Sequence, residues 1–198
     1  MSATTGMRLD LQVPDVSWSL VPRDASPEQW DAFSAELATG YAAVREGDGL
    51  TGDQRMALGV MLDDVRAQVA PDDVVTLLFR PYLVPVTAVV HVRVAEIAAG
   101  DDVDSALRTA LTPDLPLAIP PVVEDMIAPA LGAGRRSSFV MGASDAAGRT
   151  VGGISYAIAA DGFVVHVLTS PTPPTVIGLL EEQLEQIVQT LRIVPVDA

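Results

Sequence analysis

The chain has 198 residues and carries 26 Asp and Glu against 12 basic residues, all arginine, for a formal net charge of −14; it contains no lysine, asparagine or cysteine. Without lysine there is no Schiff base and no P-loop contact to phosphate, and without cysteine there is no thiol nucleophile, thiolate metal site, iron–sulfur cluster or disulfide. The acidic charge repels polyphosphate backbones, which sets nucleic acid aside as a partner.

The first element is a strand in which Met7, Leu9, Leu11 and Val13 alternate with Arg8, Asp10 and Gln12. Pro14 and Asp15 then turn the chain, and Trp18 and Leu20 alternate with Ser17 and Ser19, which predicts a hairpin ending before Pro22. A helix begins at Ser26, with Pro27 at its first position and Gln29 placed to close a capping box. Trp30, Phe33, Leu37, Tyr41 and Val44 form its apolar stripe. After Gly47 and Gly49, Thr51 with Gln54 repeats the box, and Leu58, Met61, Leu62, Val65 and Val69 stripe a second helix up to Pro71. Residues 23–71 therefore read as a helical hairpin inserted into one domain over 1–198.

Strands are predicted over 74–80 and 85–96, joined across Pro81, Tyr82, Leu83 and Val84. In the second, Val86, Ala88, Val90, Val92 and Val94 share a buried face while Thr87, His91 and Arg93 share a polar one. A short helix follows Gly100, carrying Val103, Leu107 and Leu111. Residues 113–134 interleave Pro113, Pro116, Pro120, Pro121 and Pro129 with large apolar residues, and a short helix around 121–131, capped by Gly132, fits them. Strands near 136–144, 149–160 and 162–170 form a meander, with Asp161-Gly162 as a hairpin turn. The strand with Phe163, Val164, Val165, Val167 and Leu168 is apolar on both faces, as a central strand is. A final helix from Thr172 is striped by Val176, Leu180, Leu184, Ile187, Val188 and Leu191.

Hairpin signals outnumber βαβ alternations in this order. The expected fold class is α+β: a mostly antiparallel sheet of about six or seven strands covered by helices. No uninterrupted apolar run of about 20 residues predicts a membrane span. The first residues carry no apolar secretory region, so the expected location is cytoplasmic. Arginine without lysine or asparagine fits a GC-rich, actinobacterial genome.

The opening Leu9-Asp-Leu-Gln-Val-Pro14-Asp-Val-Ser-Trp18 and the closing stretch from Ser155 through Gly162 and His166 to Ile193 resemble the Mog1p/PsbP-like superfamily. The resemblance covers about the first twenty and last sixty residues; the helical hairpin departs from its pattern. It implies an accessory, protein-binding role and supplies no catalytic residue to carry over.

Several groups offer chemistry and each has a plainer explanation. His91 and Arg93 together suit a carboxylate or other anion, and equally suit solvent exposure. His166 among valines and leucines reads as a hydrogen-bonded core histidine. Gly153-Ile-Ser155-Tyr-Ala157 is no nucleophile elbow, because the strand runs on rather than turning into a helix. Asp101, Asp102 and Asp104 read as the start of a helix, Asp72 and Asp73 as a solvated turn, and Arg135 and Arg136 as partners of nearby carboxylates. No cofactor or metal site is expected.

The strongest contact candidate is apolar: Tyr82, Leu83 and Val84 at a hairpin tip, with Leu117, Ile119 and Val123 from the proline-broken segment. Alternatively these segments pack on each other or on the helical hairpin. The expectation is a non-enzymatic accessory or chaperone-like protein that binds another protein, or self-associates as a homodimer. The alternative is a small-ligand binder or enzyme using His91 and Arg93 in a pocket under 113–134.

Overall fold

A computed structural model describes residues 7–13, 17–44, 49–81, 86–111, 116–144 and 148–195. Strands β1 (Met7–Asp10) and β2 (Trp18–Leu20) precede helices α1 (Pro27–Val44) and α2 (Gly52–Gln68). Then come β3 (Asp73–Phe79), β4 (Ala88–Glu96), α3 (Val103–Leu111), β5 (Val122–Ala128), β6 (Gly132–Ser144), β7 (Thr150–Ala160) and β8 (Phe163–Thr169). Helix α4 (Pro174–Thr190) and strand β9 (Arg192–Pro195) close the chain. Seven strands form one sheet in the order β2-β3-β4-β8-β7-β6-β5, every pairing antiparallel, so the fold is α+β.

Both helix starts follow from their capping residues. Gln29 N–H donates to Ser26 Oγ at 3.3 Å and Ser26 N–H to Gln29 Oε1 at 2.9 Å. Thr51 and Gln54 exchange the same two bonds.

Helix α4 covers one sheet face. Its Leu180, Leu184, Ile187 and Val188 pack with Leu77, Val90, Val92, Ile154, Tyr156, Val165 and Val167, and each fully buried aliphatic contributes about 1.5–3 kcal/mol. The alternate residues Leu78 and Val89 turn to the other face and meet Trp30, Phe33, Leu37, Leu58, Leu62 and Val65 of α1 and α2. Further along that face, Leu107 and Leu111 of α3 pack on Ala157 and Val164. β8 is thus central, with layers on both sides.

Two expectations fail. The N-terminal hairpin does not form: β1 pairs with β9, Leu9 opposite Ile193, and β2 pairs with β3, Trp18 opposite Phe79. The alternation correctly marks the strands but carries no information about which strand each will meet. Residues 122–128 form a strand rather than part of a helix. Val122, Val123 and Ile127 are β-branched, and β6 supplies a full antiparallel register from Val122–Ser138 to Ala128–Gly132. Gly132, expected as a helix cap, instead takes φ +111° where the chain enters β6.

Candidate functional site

A bulge between Asp73 and Val75 at the start of β3 re-aims the Asp73 side chain inward, where it is fully buried. This corrects the reading of Asp73 as a solvated turn residue. Its Oδ2 accepts the Ala70 N–H at 3.0 Å, the Thr76 hydroxyl at 3.1 Å and His91 Nδ1 at 2.6 Å. Its Oδ1 accepts Arg93 Nε at 2.9 Å. Burial pushes this carboxyl up, but the His91 bond, the Ala70 N–H and Arg93 together outweigh it and hold the group below the usual carboxylate range.

Asp73 as a carboxylate only accepts, so His91 Nδ1 carries a proton. The other ring nitrogen, Nε2, lies 2.9 Å from Ser170 Oγ. His91 itself is only 5% exposed, buried where the alternation suggested a solvent-facing residue. Asp73, His91 and Ser170 are therefore linked in the order of an acid–base relay. Ser170 follows β8, two prolines before α4, and opens on a cleft of about 150 Å³ lined also by Asp64, Gln68, Thr87 and Thr172.

Acyl transfer needs donors where negative charge develops on the substrate oxygen. The main chain around Ser170 has committed its own. Ser170 N–H donates to Val89 O at 2.8 Å and Thr172 N–H to Gly152 O at 2.9 Å. Pro171 and Pro173 have no N–H. The Ser170 hydroxyl and the His91 ring are within hydrogen-bond distance, and the N–H groups of Ser170 and Thr172 are not available as an oxyanion hole.

Arg93 also pairs with Asp72 at 3.2 Å, and with His166 it lines a cleft of about 500 Å³ against α3. No described residue of 113–134 lines it, which corrects the expected location of a His91–Arg93 pocket; His91 lies beneath the surface instead. His166 is half-buried and lies 2.7 Å from Ser155 Oγ. Burial, reinforced by the Arg93 charge, pulls its pKa down to about 4, so it is neutral near pH 7.

Asp102, Asp104, Arg135 and Arg136 have local partners. Asp102 accepts the Ser105 N–H at 3.2 Å at the start of α3. Asp104 pairs with Arg108 and Arg135, and Arg136 pairs with Glu181. Among the described residues no group of three or more His, Asp or Glu could hold a metal ion.

The apolar candidates are divided. Tyr82, Leu83 and Val84 lie outside the described residues. Leu117 bridges to Met141 and is half-buried, while Ile119 and Val123 are exposed. Val123 belongs to β5, the edge strand, beside Val122 at 61% and Ile127 at 74% exposure. Reading the prolines as breaks hid this strand; the β-branched Val122, Val123 and Ile127 were the available signal. Ser170 was missed because its partners, Asp73 and His91, are far away in sequence.

Among solved structures, the chain is similar to LpqN, described as involved in cell envelope biogenesis of Mycobacterium tuberculosis: 14% identity, TM-score 0.54, covering 98% of this chain and 87% of that one. At that identity the likeness shows the fold alone. No protein-family model matches the chain, and no curated protein matches it. No helix among the described residues is long and apolar enough to cross a membrane.

Proposed function

We propose that this chain is a non-enzymatic accessory protein that binds another protein along the open edge of β5. The observation that carries the reading is the exposure of Val122, Val123 and Ile127 on a strand that, among the described residues, pairs only with β6. Edge strands present unpaired N–H and C=O groups, and proteins usually avoid lining them with exposed aliphatics. Ile119, just upstream, extends the apolar surface. The Mog1p/PsbP-like resemblance supports an accessory role by analogy, and the role of LpqN in cell envelope biogenesis is compatible with one. A cytoplasmic location is part of the proposal; the envelope is the competing compartment, and fractionation of the native host separates them.

Capture from that host tests the reading. Wild-type chain should retain a stoichiometric protein that Ile127→Asp loses and Val60→Asp, altering another exposed apolar residue, on α2, keeps. Equal retention by all three removes β5 as the docking edge.

A second reading, a hydrolase using Ser170, is favoured by the Asp73–His91–Ser170 relay. The committed backbone donors weigh against it. Covalent labelling of Ser170 by a fluorophosphonate would favour it over the first.

A further inference from the structure

Resting on the β5 reading, we infer that the partner docks as an extended segment with adjacent basic residues at its centre, added to the sheet as an eighth strand. The edge is short and bounded: Pro120 and Pro121 precede it and Pro129 follows, leaving Val122–Ala128. Every second residue of that stretch turns its N–H and C=O away from β6, which is the template for strand addition. Apolar side chains stand towards both ends, Val122 and Val123 at one and Ile127 at the other. The middle is acidic. Glu124 and Asp125 are both exposed, the Asp125 side chain at 94%.

The basic residues opposite this pair offset it only in part, because each is shared with a second carboxylate. Arg136, opposite Glu124 in the register, pairs with Glu181. Arg135, opposite Asp125, pairs with Asp104 and reaches Asp125 only at 3.5 Å. Carboxylates in the centre of an open edge select against some strands and for others. A second copy of this chain is disfavoured: with a two-fold axis at Glu124 or at Asp125, carboxylate faces carboxylate. A strand with Lys or Arg at those two places meets opposite charge on both faces of the sheet, because consecutive side chains alternate. Its β-branched flanks would then cover Val122, Val123 and Ile127. The formal charge of −14 draws such a segment in from a distance.

The test titrates isotopically labelled chain, followed by amide NMR, with two synthetic strands: Val-Thr-Val-Lys-Arg-Val-Thr-Val and the same peptide with Glu-Asp replacing Lys-Arg. The basic peptide should shift amides of 122–128 at about 1 mM and bind at least about tenfold more weakly when salt is raised from 50 mM to 0.5 M. The acidic peptide should leave them unmoved. Charge reversal by Glu124→Lys with Asp125→Arg, both exposed, should exchange the two preferences while leaving the rest of the spectrum in place. Equal binding of the two peptides, shifts centred elsewhere, or no shift with either overturns the inference. Host-partner capture distinguishes the two levels: if Ile127→Asp abolishes capture and charge reversal does not alter it, β5 docking stands and the basic segment is wrong.

Discussion

Asp73 and His91 meet at 2.6 Å, Oδ2 to Nδ1, in the polar part of an otherwise aliphatic sheet face. The carboxylate also holds Thr76, the Ala70 N–H and Arg93, so one side chain satisfies donors from β3, β4 and the turn after α2. Asp73→Ala would leave His91 Nδ1 without its acceptor beside a void and Arg93 with Asp72 alone, and should cost about 3–5 kcal/mol in urea unfolding. A loss within experimental error of the wild type would mean that water replaces the carboxylate without penalty.

His166 gives stability an acid limit. Its pKa lies near 4 in the folded chain against an ordinary value of 6.5, so the unfolded chain binds the extra proton first as pH falls. The stabilisation from a neutral His166 is complete above about pH 6.5 and lost progressively towards pH 4, an effect of about 3 kcal/mol at most. Asp73, held below its ordinary value of 3.8, adds a second loss in the same direction at lower pH. His166→Gln should flatten the unfolding free energy between pH 6.5 and 4; an unchanged slope would assign the acid sensitivity to other groups.

Ser170 Oγ lies 2.9 Å from His91 Nε2, and the non-enzymatic reading gives it no further role. Ser170→Ala should cost about 1 kcal/mol and leave partner capture intact, and wild-type Ser170 should remain unlabelled by a fluorophosphonate. Stoichiometric labelling, abolished by His91→Gln in a variant that still folds, would contradict the non-enzymatic reading.

Gly153 is required by close packing between strands. A Cβ there would stand 2.5 Å from Phe139 Cζ and 2.7 Å from Thr169 Oγ1, the atom that accepts the Ile154 N–H. Gly153→Ala should therefore destabilise by about 1–3 kcal/mol in thermal or urea unfolding. An unperturbed midpoint would show that the Phe139 ring moves aside freely.

Legibility in the sequence tracked the range of each interaction. Local signals were sound: Ser26 with Gln29, Thr51 with Gln54, the stripes of α1, α2 and α4, and the turn at Asp161 all sit where their chemistry placed them. Partnerships across the chain left no local trace. Leu9 finds Ile193 and Trp18 finds Phe79, so two correctly marked strands were joined to each other in error. The relay was hidden for the same reason: Asp73 and Ser170 both look like turn residues until the sheet places each against His91. At β5, prolines on both sides outweighed the strand preference of the β-branched Val122, Val123 and Ile127.

The central claim, that another protein docks along β5, is tested most directly by site-specific photocrosslinking in the native host. A photoreactive residue at position 127 on the edge is compared with one at position 60 on α2, whose native aliphatic residues are 74% and 59% exposed. Docking at β5 gives one discrete protein adduct from position 127 and nothing above background from position 60. An absent adduct at 127, or the same adducts from both positions, contradicts it.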